Sequence, residues 1–234
     1  MDKRKKIILI VIGVVVVLGA IFAFYLFKSH QKEAALLQAA AQPFNEATAP
    51  SYQKDAITFI KEIYSDARTV TDEEEFNKKI DQQVSAESKE FKQVIKDRKQ
   101  IRDQVVSHKN IQFDLKEHNF TTPGIIKSTD KEILFIVNGT YRYVDLNDPV
   151  AQEAATKGEE VLFGQEIAYG VSLTKEGEQW KITNILSTDL TASYMIKGLD
   201  TVSSKSQQEI IDLIKKNTIP KYDLDQILSE INSN

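Results

Sequence analysis

The strongest feature of the hydrophobic pattern is an unbroken apolar run at residues 7–27, which contains no charged or strongly polar side chain. A helix of these 21 residues would be about 31 Å long, close to the roughly 30 Å of a bilayer core. Backbone polar groups in lipid must pair within the segment, so a helix is the favoured state. We therefore predict a retained transmembrane anchor, with spanning positions that include Ile7, Val14, Val17, Ile21 and Phe27.

Basic side chains are placed unevenly around this run, because a cluster precedes it and few follow. The cluster consists of Lys3, Arg4, Lys5 and Lys6. Basic residues stay on the cytoplasmic side of a membrane helix. Residues 1–6 are therefore predicted to be a cytoplasmic tail, and residues 28–234 are predicted to lie on the outer side of the membrane. Residues 28–50 are rich in Ala, Leu and Gln and then contain two prolines, which predicts a stalk and linker. A first packed helix of the domain is the alternative for this segment.

After residue 50 the apolar spacing is first helical and then alternating. Apolar positions three and four apart predict three helices, at residues 52–67, 72–84 and 85–107. Alternating positions then predict strands at about residues 111–115, 131–144, 160–174 and 179–186. The last two strands are separated by a tight turn and should form a hairpin. The expected fold is therefore α+β, with three helices on a curved antiparallel sheet of about four strands at residues 51–190, and a helical extension at residues 191–234.

Two segments have patterns that suggest contacts with partners. The connection at residues 145–158 is long for neighbouring antiparallel strands, and long connections are often functional, so Asp145 and Asp148 are possible partner contacts and simple filler is the alternative. The second segment is the last predicted helix, which has one apolar face. That face consists of Leu224, Ile227, Leu228 and Ile231. It packs either on its own domain or on a partner, including a second copy of the chain.

Composition narrows the kinds of partner. The first six residues contribute +3 to a total charge of −4, so residues 28–234 carry −7 and lack the basic footprint that nucleic acids need. Direct binding of nucleic acid is not expected. The chain has no Cys, which rules out disulfides and cysteine metal sites. An exported domain without disulfides favours a bacterial cell envelope, and in particular a Gram-positive bacterium with a single membrane.

Sequence signals for catalysis are weak. The sequence has three His, and it contains none of the common zinc, phosphate-loop, nucleophile-elbow or dinucleotide motifs. His108 and His118 are predicted to be surface residues, and no cofactor, metal or enzymatic activity is expected. The many charged side chains of the helix at residues 85–107 are interpreted as a solvated face with ion pairs inside the helix, with a basic contact stripe as the alternative.

The predicted order of elements ends in a hairpin with the pattern W-K-I-x-x-I, formed by Trp180, Lys181, Ile182 and Ile185. This layout resembles the nuclear-transport-factor-2-like, or cystatin-like, α+β cone. A cytoplasmic tail, one span, a stalk and this domain together look like the VirB-eight-like and TcpC-like bitopic proteins of conjugation and type IV secretion systems. The resemblance implies a non-catalytic scaffold that self-associates and contacts other channel proteins.

Two other functions are compatible with the sequence. One is a membrane-anchored accessory or sensor domain of the envelope that binds a wall-derived or small ligand. The other is an enzyme of the ketosteroid-isomerase type, which would need a carboxylate of raised pKa next to a tyrosine inside the cone. Tyr141, Tyr143 and Tyr169 are the tyrosines that such a cavity would use, although tyrosines at alternating strand positions are more often part of the core.

Overall fold

The computed structural model describes residues 42–187 and 207–233, and the predicted anchor, its flanking basic residues and most of the stalk lie outside the described residues. Within these ranges the chain is α+β, with one antiparallel sheet and helices beside it. No described helix combines the length and the apolar character that crossing a bilayer requires. Residues 42–44, which belong to the predicted linker, lie against the sheet, because Phe44 N–H donates to Phe120 O over 2.9 Å.

Among the described residues, three helical segments precede the sheet, and all three are predicted from the sequence. They are α1 (Ser51–Phe59), which continues into a π-helical turn (Ile60–Tyr64), α2 (Glu73–Gln83) and α3 (Lys89–His108). The third helix begins four residues later than predicted. The reason is that Val84 forms a parallel bridge with Ile182 and Ser85 N–H donates to Ile182 O over 2.8 Å, so these residues are held extended at the sheet edge.

The sheet has five strands, one more than predicted. They are β1 (Phe113–Phe120), β2 (Gly124–Ser128), β3 (Glu132–Asp145), β4 (Phe163–Glu176) and β5 (Gln179–Ser187). Their order is β1-β3-β4-β5, and the short β2 also pairs with β3, beyond the end of β1. The five residues of β2 begin with the glycine of a Pro-Gly pair and show almost no alternation, which is why β2 escapes prediction. A short helix, α4 (Pro149–Thr156), lies in the connection between β3 and β4.

One face of the sheet packs against α1, α2 and α3, and these elements enclose the main core. The opposite face is covered by α5 (Gln207–Lys215), whose Ile210, Ile211 and Ile214 are at most 1% exposed. A glycine permits this close approach, because a Cβ at Gly170 would lie 2.7 Å from Ile210 Cγ2. The sheet is therefore buried on both faces along part of its length.

The last helix, α6 (Leu224–Ser233), packs against α3 of the same domain. Its Ile231 is buried with Ile101 and Val105, and the other predicted contact positions are partly buried against the same cluster. These positions are Leu224, Ile227 and Leu228. The structure thus shows the intramolecular alternative for this helix, and Asp223 caps it by accepting from Gln226 N–H over 3.1 Å.

Candidate interaction surface and the domain interior

The interior of the domain is filled by aromatic rings. Tyr64 lies 6.3 Å from Tyr169 and 6.0 Å from Phe91, measured between ring centroids, and Tyr141 and Tyr143 stack at 6.3 Å. Burial raises the pKa of Tyr64, whose hydroxyl donates to Ile185 O over 2.8 Å, and burial also raises the pKa of Tyr143 to about 12. The predicted cavity tyrosines, Tyr141, Tyr143 and Tyr169, are packed core residues.

Asp66 is the one carboxylate that is fully buried among the described residues. It pairs with Arg98 over 3.2 Å, and both side chains are no more than 7% exposed. The guanidinium of Arg98 also lies 4.6 Å from the centroid of the Tyr64 ring and donates to Tyr222 Oη over 3.4 Å. A carboxylate neutralised in this way is a structural ion pair and is poorly placed to take a proton from a substrate.

This pair belongs to a larger network between α3 and the loop after the π-helical turn. Arg102 Nε donates to the backbone oxygen of Asp66 over 3.1 Å, and Arg68 pairs with Asp103. The predicted ion pairs inside α3 are present, for example between Lys99 and Asp103. The interpretation of the whole charged face as solvated is wrong for Arg98, because its side chain is buried. Helical spacing alone could not show this, because the partners of Arg98 come from distant parts of the chain.

The prediction of a surface position is also wrong for His118. Both ring nitrogens are buried and have no hydrogen-bond partner among residues 42–187 and 207–233. The ring lies 5.2 Å from that of Phe120 and 6.1 Å from that of Tyr141. Burial, and then the positive charge of Lys61, lowers the pKa of His118 to about 4. His118 is therefore a neutral ring at neutral pH.

His118 should make the stability of the domain depend on pH. An unfolded chain takes up this proton below about pH 6.5, whereas the folded chain does so only near pH 4. As the pH falls from 6.5 to 4, protonation of His118 in the unfolded chain should therefore lower the free energy of unfolding by about 3 kcal/mol. His118→Phe should remove that part of the slope in urea unfolding series measured across this range. An unchanged slope would contradict the burial of the imidazole.

Exposed apolar side chains gather at one end of the sheet. Among the described residues, four large apolar side chains are 36–62% exposed, and we call them the partner surface: Leu115, Leu146, Val150 and Leu162. Single exposed apolar residues are common on proteins, but a group of them at one place is typical of contact surfaces.

The strand register explains why these residues lie at the same end. Leu115 of β1 stands opposite Tyr143 of β3, which stands opposite Phe163 of β4, the residue after Leu162. Neighbouring strands are about 4.8 Å apart, so Leu115 and the start of β4 are separated by roughly 10 Å. Leu146 follows the end of β3, and its carbonyl oxygen accepts from Gln152 Nε2 of α4 over 3.0 Å.

The two acidic residues predicted to contact partners shape this end of the domain. Asp145 Oδ1 accepts from Gln112 N–H over 2.9 Å and from Asn147 N–H over 3.0 Å, which tightens the turn after β3. Asp148 caps α4, since its Oδ1 accepts from Val150 N–H over 2.9 Å and Ala151 N–H over 3.0 Å. Their carboxylates hold the connection in the conformation that exposes Leu146 and Val150.

The chain segments that contain the partner surface are rich in negative charge. Residues 110–117 and 145–162 contain seven carboxylates and two lysines. Both lysines are engaged locally: Lys116 pairs with Glu160 over 2.9 Å and with Asp114 over 2.8 Å, and Lys157 pairs with Glu153 over 2.6 Å. These segments combine exposed apolar side chains with an excess of carboxylates, which fits a partner with an apolar and basic surface.

Comparisons of this chain with protein-family models, with curated proteins and with solved structures found no match. Within residues 42–187 and 207–233, no group of three His, Asp or Glu side chains is placed to hold a metal ion.

Proposed function

We propose that this protein is a non-catalytic, membrane-anchored assembly subunit of a bacterial conjugation or type IV secretion channel. Its described domain corresponds to a nuclear-transport-factor-2-like domain outside the cell membrane and acts through contacts with other channel proteins. Residues 7–27 would anchor it, with the basic residues before them in the cytoplasm.

The observation that carries this proposal is the partner surface. Leu146 and Val150 are exposed on a connection that two carboxylates keep in a defined conformation, so the surface is pre-organised for contact. Two copies of these acidic segments would repel each other, so this surface suits a different protein better than a second copy of the chain.

The interior supports a role without catalysis. An isomerase-type reaction would need an open cavity with a free carboxylate beside a tyrosine. Rings of Tyr64, Phe91 and Tyr169 occupy this space, and the nearby carboxylate of Asp66 is paired with Arg98.

A membrane pull-down of the full-length chain from its native host, followed by mass spectrometry, tests the proposal. We expect recovery of a conjugation or secretion ATPase together with a channel protein of several spans. Recovery of wall-synthesis enzymes, or of this chain alone, would contradict the assembly role.

A membrane-anchored accessory or sensor domain that binds a wall-derived ligand is the second candidate. It requires a site for such a ligand, and a groove beside Trp180 favours it.

A further inference from the structure

A groove of about 320 Å³ lies at the end of the β4–β5 hairpin, next to the start of α1 and the end of α2. Its volume is at the lower end of the range of small-molecule sites, about 300–1,000 Å³. The partner surface adjoins the start of β4 and this groove adjoins its end, so the two sites are separated by the length of a 14-residue strand.

Two aromatic rings form one wall of the groove. Tyr52 and Trp180 lie 6.1 Å apart between centroids, with their planes at 56°. Both are half-buried and pack against the main core, so their positions are fixed while part of each ring faces the groove. The indole N–H of Trp180 makes no hydrogen bond with any described residue, which leaves a donor for a ligand.

Four polar side chains of the groove have no protein partner among the described residues. Within the described ranges, none of these four side chains makes a hydrogen bond or ion pair: Asp55, Gln82, Gln83 and Gln179. Gln83 Oε1 is a buried acceptor that receives no hydrogen bond from a described residue. A buried acceptor without a donor is costly, and a native protein commonly keeps one where water or a ligand supplies the donor.

The charge of the lining argues against an anionic ligand. Its basic residue is Lys181, and the Lys181 ammonium is already engaged because it donates to the backbone oxygen of Gln82. The groove therefore offers aromatic faces, amides and a carboxylate. Pyranose sugars present a complementary surface, since one face of the ring carries apolar C–H groups and the rim carries hydroxyl groups that both donate and accept.

We propose that this groove binds a short pyranose saccharide. One sugar ring stacks on Trp180 and Tyr52, and its hydroxyls donate to Asp55 and Gln83 and exchange hydrogen bonds with Gln179. Saccharide binding in this groove is a function beyond the assembly role and does not depend on it, because none of these residues belongs to the partner surface.

Trp180 is the protein's single tryptophan, so tryptophan fluorescence of the full-length chain in detergent reports directly on the groove. We would titrate two uncharged probes separately, chitotetraose and cellotetraose. We expect a saturable change in fluorescence with at least one of them. Saturation with chitotetraose would indicate N-acetylated wall sugars as the source, and saturation with cellotetraose alone would indicate another glucan.

Variants at exposed positions separate binding from folding. Asp55→Ala and Gln179→Ala should each raise the dissociation constant about tenfold, which corresponds to one hydrogen bond of roughly 1.4 kcal/mol. Gln100→Ala, on the exposed part of α3, is the matched control and should leave binding unchanged. Absence of saturation with both saccharides would overturn the proposal. Saturation that Asp55→Ala and Gln179→Ala leave unchanged would also overturn it.

Discussion

Replacing both Leu146 and Val150 by Asp is expected to abolish recovery of the channel partners in a membrane pull-down. The substitutions place two charges among the exposed apolar side chains of the partner surface, and a residue that contributes strongly to an interface is worth at least about 2 kcal/mol. A loss of that size lowers affinity by roughly 30-fold or more. Both side chains are exposed, so the fold of the domain should be retained.

A matched control adds the same charges elsewhere. Ala86→Asp combined with Gln100→Asp also introduces two carboxylates at exposed positions, but in the loop before α3 and on α3 itself. This control should recover the partners as the natural chain does, with equal amounts of both variants in the membrane. Partner recovery that is unaffected by the Leu146 and Val150 substitutions would show that contacts are made elsewhere.

Arg98→Met is expected to lower the free energy of unfolding by about 3–5 kcal/mol, a large part of the roughly 5–15 kcal/mol of a typical domain. The physical reason is that Asp66 would remain buried with its charge uncompensated. Urea unfolding of the full-length chain in detergent, followed by Trp180 fluorescence, measures the change.

Two further variants test the cause of this loss. Removing both charges with Asp66→Asn and Arg98→Met should recover part of the stability, because no unpaired charge is left behind. The same change at an exposed pair, Arg142→Met beside Glu166 at 3.8 Å, should cost no more than about 1 kcal/mol. Equal losses for Arg98→Met and Arg142→Met would contradict a special role for the buried pair.

Helical and alternating spacing predicts the types and order of the main elements in this chain because most of the faces that it marks are buried in the fold. The face of α3 that contains Phe91 and Ile95 is one example, and the alternating side chains of β3 are another. Boundaries depend on contacts between distant residues, which spacing does not contain. The late start of α3, set by the bridge from Val84 to Ile182, shows this.

The sequence predicts the region of the candidate surface but not the residues that form it. The long connection after β3 is unusual in length, and this signal points to the right region. Within this connection the sequence favours the carboxylates of Asp145 and Asp148 as contact residues. In the structure these carboxylates accept hydrogen bonds from backbone N–H groups, and the exposed apolar side chains are those of Leu146 and Val150. An isolated Leu or Val in a polar segment has no periodicity, so only the structure shows that it is uncovered.

The most direct measurement of the proposed function is the frequency of DNA transfer from a native host that carries a conjugation operon. Deleting the gene for this chain should reduce transfer strongly. The natural chain should restore it, and the variant with Asp at positions 146 and 150 should not. Transfer that stays at its normal level after deletion would contradict a role in the channel.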